Sequence, residues 1–232
     1  MVKEKVIWIV ALLLLSAGAW AHNDSVKTAK PAIYQGMMLK LDLGAAALEL
    51  GKSKGEIQDY EIAMNWRLKN KWYPTLEAGY AQGRTHKGDS LGYLGRGGFF
   101  RVGLDINPLK KHPELPHALL IGLRLGTSVQ QCDQRVRTYM PEPGLASLVG
   151  PQVKTVADCW GEIVGGCEVQ IAKDKRTHVY GGFYMGWMGR FRCLFTRKDG
   201  ATAAEMQPIY IPGFGNRDII AWSLSYHVGY RF

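Results

Sequence analysis

His86, Asp89 and Ser90 lie close together in a Gly-rich stretch of the chain. A serine nucleophile, a histidine base and an orienting carboxylate are the parts of an acyl-transfer site. A triad is a geometry rather than a neighbourhood, and a solvated run of turn formers gives these side chains no reason to converge. No catalytic residue is assigned. His178 and His227 form a second candidate pair, since two imidazoles can begin a metal site, but no third ligand stands at a suitable spacing. Hence no metal and no cofactor is expected. The largest set is ionic: Lys40, Asp42, Glu61, Arg67, Glu77, Arg101, Asp105, Arg124, Glu162, Glu168, Arg190, Arg192 and Arg231. Both signs occur in near balance, which suits mutual pairing in a low-dielectric interior.

A period of two positions these residues. Along 219–232, Ile220, Trp222, Leu224, Tyr226, Val228, Tyr230 and Phe232 alternate with Ala221, Ser223, Ser225, His227, Gly229 and Arg231. Such alternation is a β-strand with one apolar and one polar face. Seven earlier segments repeat it. They are led by Met37, Leu39 and Leu41; Tyr60 to Leu68; Trp72 to Tyr80; Phe100 to Ile106; Leu119 to Leu125; Ile163 to Ile171; and Val179 to Phe191. The connections alternate in length. Short ones are expected at 70–71, 107–116 and 173–175, and long ones at 83–97, 131–158 and 193–218, with 51–57 a short member of the long set. Eight antiparallel strands with short turns at one end and long loops at the other make an up-and-down transmembrane β-barrel.

The apolar parity of these segments holds no Asp, Glu, Lys or Arg, and every member of the ionic set falls on the other parity. A cation facing lipid at mid-bilayer costs roughly 2 to 4 kcal/mol, whereas a soluble exterior carries no comparable penalty. The ionic parity is also rich in Gly, including Gly79, Gly103, Gly122, Gly126, Gly166 and Gly186. Gly weakens a strand but makes room beside long side chains in the narrow interior of an eight-stranded barrel. The apolar face therefore points outward and the charges fill the lumen. Tyr60, Tyr80, Trp72, Tyr230 and Phe232 fall near strand ends, where aromatic girdles sit.

Residues 1–21 have the three parts of a secretory signal: Lys3 and Lys5, the apolar run from Val6 to Leu15, and Ala19-Trp20-Ala21 as a cleavage site. The expected organisation is a signal peptide over 1–21, an N-terminal periplasmic segment over 22–33 and a barrel over 34–232. The formal charge of +9 suits anionic lipid and lipopolysaccharide. No basic helix or aromatic platform suggests nucleic acid. Of the four cysteines, Cys167 lies mid-strand facing outward and is too far along one strand from Cys159 to bridge it. A bridge between Cys132 and Cys159 is expected if the third long loop folds symmetrically, with Cys193 as the competing partner.

The eight segments and the closing Tyr230-Arg231-Phe232 resemble the small eight-stranded outer-membrane barrels of the OmpA/OmpX type. That resemblance implies a Gram-negative outer-membrane location and a role for Tyr230 and Phe232 as the terminal aromatic signal recognised by the barrel insertion machinery. The expected function is structural or interactive, with a side-chain-plugged lumen and the third and fourth long loops presented to an outer-membrane protein partner. The alternatives are a narrow channel and a lipid-active enzyme at the rim.

Overall fold

The structure, a computed structural model, describes residues 33–43, 57–87, 91–109, 111, 115–139, 146–174, 180–195, 210–216 and 219–232. The expected signal peptide over 1–21, nearly all of the expected periplasmic segment over 22–33, and Asp89, Ser90 and His178 lie outside them.

Every described element is a strand. The chain forms β1 (Tyr34–Asp42), β2 (Ile57–Leu68), β3 (Trp72–Lys87), β4 (Leu91–Ile106), β5 (Ala118–Tyr139), β6 (Ala146–Lys173), β7 (Gly182–Leu194), β8 (Tyr210–Ile211), β9 (Gly215–Asn216) and β10 (Ile220–Arg231). β1 to β7 and β10 pair antiparallel, each with its neighbour in sequence, and β10 returns to β1 through Met38 opposite Arg231 and Leu41 opposite Val228. The result is a closed eight-stranded barrel without edges. β8 and β9 form a separate two-stranded hairpin.

Alternation along each strand sorts the side chains as the sequence requires. Leu123 is 64% exposed and Trp222 81%, whereas Arg67, Asp105, Glu168 and Arg231 are 0% exposed. This inverts the pattern of a water-soluble domain. The inward glycines lie beneath large side chains: a Cβ on Gly79 would run into the Phe99 ring, on Gly103 into Arg124, and on Gly126 into the Trp160 ring.

The strands differ in height. β5 pairs with β6 out to Tyr139 opposite Ala146, and with β4 out to Val136 opposite Leu91. By contrast, β6 pairs with β7 only to Trp160 opposite Leu194. The wall made by β3 to β6 therefore rises above the rest of the barrel. This corrects the expected long loops at 83–97 and 131–158, much of which is strand. Backbone pairing does not depend on an apolar outer face, so the ladder continues through Gln130-Gln131-Cys132-Asp133-Gln134 after the hydrophobic alternation has ended.

The expected Cys132–Cys159 bridge is also corrected. Neither cysteine is in a disulfide, because Cys132 stands opposite Lys154 and Cys159 opposite Thr127. Cys132 is buried on the inner face and Cys159 is exposed on the outer one. Side chains on opposite faces of a sheet cannot meet.

Candidate functional site

The lumen is filled in layers. At the short-turn end Arg67 donates from Nε to Gln35 Oε1 at 3.0 Å, and from Nη1 and Nη2 to the carbonyls of Pro116 and Leu115 at 3.1 and 2.9 Å. Its guanidinium lies 4.0 Å from the centre of the Tyr180 ring. Asn70, in the β2–β3 turn with φ of 53°, accepts from the Tyr73 hydroxyl at 3.1 Å and from Asn107 Nδ2 at 2.9 Å. An expected acidic partner for Arg67 is thus replaced by carbonyls, an amide and a ring.

Above this lies Glu168. Its carboxylate takes Lys40 Nζ at 2.5 Å, Arg231 Nη2 at 3.0 Å and Asn65 Nδ2 at 3.0 Å. Arg231 also stacks 4.5 Å from the Tyr184 ring. His227 is buried 4.0 Å from the same carboxylate.

The next layer is denser. Glu77 holds Arg101 at 2.6 Å, Arg190 at 2.7 Å and Arg124 at 3.1 Å. Arg124 forks onto Asp105 at 2.5 and 2.7 Å, and Arg101 forks onto Glu61 at 3.1 and 3.0 Å. Arg190 reaches Glu61 at 2.9 Å and Glu162 at 3.2 Å, and Glu162 also takes Arg192 at 3.2 Å and the indole N–H of Trp160 at 2.7 Å. Four carboxylates thus face four guanidinium groups, with charge-assisted bonds that leave little net charge in this layer. Asp42 lines a small cavity beside it with Glu61, Glu77, Arg190 and His227. The cavity measures about 10 Å³, room for one water at most.

At the long-loop end a segment of the fourth expected loop turns inward and packs on inner-face side chains. Ile211-Pro212-Gly213-Phe214 is a tight turn, with the Phe214 N–H on the Ile211 carbonyl at 3.0 Å and Gly213 at φ 74°. Pro and a positive-φ Gly at its two central positions are what a type II turn needs. Tyr210, Ile211 and Phe214 are buried. Phe214 meets the Trp160 ring edge-on at 5.7 Å between centres, and Arg101 and Arg192 donate to the Gly213 and Phe214 carbonyls at 3.2 and 2.8 Å.

All thirteen ionic residues thus fall on the inner face; twelve of them have the partners named above, and Asp42 lines the small cavity. Sequence reasoning passed over Trp160, whose parity with Glu162 already placed it inside, and Tyr73, Tyr184 and Asn65. It also passed over the hairpin, whose Ile-Pro-Gly-Phe turn was the available signal. Tyr230 faces outward against Phe183 at 5.0 Å and donates to Asp174 Oδ2 at 2.5 Å, and Phe232 is exposed beside it. Among the described residues no group of three or more His, Cys, Asp or Glu is placed to hold a metal. The backbone of His86 lies in β3 opposite Gly92.

A comparison with curated proteins finds no match. Among solved structures the chain is similar to Neisserial surface protein A, at 10% identity over 86% of this chain and 96% of that one, with a TM-score of 0.33. It is also similar to the N-terminal β-barrel domain of Pseudomonas aeruginosa OprF, at 11% identity over 85% of this chain and 100% of that one, with a TM-score of 0.29. A family model described as a domain of unknown function, DUF6048, matches residues 2–232, and the chain belongs to that family.

Proposed function

We propose that this protein spans the bacterial outer membrane as a barrel whose lumen is closed, and that it acts as a structural or interaction protein through its long-loop end. The observation that carries the reading is an apolar outer face around an interior of paired ions, from the Arg67 layer to the inserted hairpin. Removing one member of a buried pair costs roughly 3 to 5 kcal/mol. A solute passing this lumen would have to break several such pairs at once, so the arrangement opposes the channel reading. An acyltransferase would need an apolar slot in or beside its reacting groups, and the lumen is ionic instead.

The wall of β3 to β6 is the surface offered to an outer-membrane protein partner, since it rises furthest from the apolar band. Lipopolysaccharide and anionic lipid surround the barrel, and Tyr230 and Phe232 address it to the insertion machinery. The test is electrical. Protein folded into planar bilayers should give no steady conductance, and reproducible single-channel steps of uniform size would replace the closed-lumen reading with a channel.

A further inference from the structure

The 210–216 hairpin belongs to no barrel ladder. Its own ladder has two pairs, Tyr210 with Asn216 and Ile211 with Gly215, too few to stand alone in water. The barrel holds it in place. Tyr210 packs on Ala81 and Cys132, and Gly83 lies so close that a Cβ there would sit 2.9 Å from the Tyr210 ring. Ile211 and Phe214 pack on Phe99 and Trp160.

Two features mark this docking as reversible. The bonds from Arg101 and Arg192 end on main-chain carbonyls, which water or another oxygen acceptor can replace at little loss. In addition, Ser128 and Gln130 on the inner face of β5 are each 1% exposed, and neither Ser128 Oγ nor either amide atom of Gln130 has a partner among the described residues. Buried polar groups without partners destabilise the arrangement that buries them. Gln130 stands opposite Val156, which packs against the cluster of Ala81, Cys132 and Tyr210, so lifting the hairpin opens this part of the inner face to solvent.

We propose that the hairpin is a lid which exchanges between this docked position and a lifted one, opening a vestibule at the long-loop end. Arg101 and Arg192 form its floor, and Phe99, Trp160, Ser128 and Gln130 line its wall. Arg101 and Arg192 each lose one carbonyl bond in the exchange but keep their carboxylate partners Glu61, Glu77 and Glu162, so the lumen stays shut.

Cys132 reports on it, because its thiol packs against Tyr210. The folded protein is treated with a charged maleimide and the labelled cysteines are identified by peptide mapping, while gel mobility without boiling follows the folded fraction. Cys132 should label at least about tenfold faster than the preparation unfolds, as local opening below the global stability requires. Phe214→Ala, which removes a buried ring, should raise that rate on the order of a hundredfold. Labelling of Cys167, mid-strand on the outer face, should not change. If Phe214→Ala does not fold, Gly213→Ala takes its place: its φ of 74° disfavours a side chain and its Cβ would meet Phe99 at 2.5 Å. Labelling of Cys132 no faster than unfolding, in wild type and variant alike, means that the hairpin is a fixed part of the core and the proposal is wrong.

Discussion

Glu168 should be the most costly carboxylate to remove from the lumen, more so than the more highly connected Glu77. Glu77 touches three guanidinium groups, yet each keeps another acid when it is lost: Arg101 and Arg190 keep Glu61 and Glu162, and Arg124 keeps its fork on Asp105. Glu168 is the only carboxylate bound by Lys40 and Arg231 among the described residues. Glu168→Ala therefore strands two fully buried cations and the Asn65 amide. Breaking one side of a buried pair costs roughly 3 to 5 kcal/mol, so Glu168→Ala should fall at or above about 5 kcal/mol and Glu77→Ala at or below about 3. The assay is urea unfolding of protein folded in lipid vesicles, followed by tryptophan fluorescence and by gel mobility without boiling. A cost for Glu168→Ala below about 1 kcal/mol, the size of a surface pair, or a larger cost for Glu77→Ala, would refute the assignment of partners on which the closed lumen rests.

Two further outcomes follow from single contacts. Gly126→Ala should destabilise the barrel by about 1 to 3 kcal/mol, the usual cost of overpacking, because its Cβ meets the Trp160 ring; the same unfolding assay checks this, and an unchanged midpoint contradicts it. His117, in the turn before β5, accepts the Gln170 N–H on Nδ1 at 3.1 Å, and burial and the Arg67 charge hold its pKa below the usual imidazole range. The unfolded chain therefore binds the proton first, so His117 leaves stability unchanged above its unfolded value of roughly 6.5 and lowers it as pH falls through that value. The unfolding midpoint should drop more steeply between about pH 7.5 and 5.5 in wild type than in His117→Gln, and equal slopes would contradict this.

The fold was legible because an apolar outer face and a narrow ionic interior each impose period two, and the two demands have opposite sign. Leu123 beside Arg124, or Trp222 beside Ser223, carries both at once. Strand height was not legible, because Gln130 to Gln134 has no hydrophobic alternation even though its backbone ladder is intact. The partners inside the lumen depend on register, which parity does not fix. Arg67 and Arg231 have the same type and parity, yet one meets carbonyls and a ring and the other a carboxylate. The disulfide expectation failed for a related reason, since it compared positions along the loop without comparing faces. The hairpin lay in a stretch read only as loop, and nothing in a Pro-Gly turn says that it points inward.

The central claim is that the apolar face meets lipid while the ions face a closed interior. It is tested most directly by spin labels placed one at a time from 119 to 125 along β5, in a variant with its native cysteines replaced by serine and folded into vesicles. Collision with oxygen, which concentrates in lipid, should be high at 119, 121, 123 and 125 and low at 120, 122 and 124. A water-soluble nickel chelate should reach none of them. The opposite parity for oxygen, or access of the chelate to the even positions, would contradict the account.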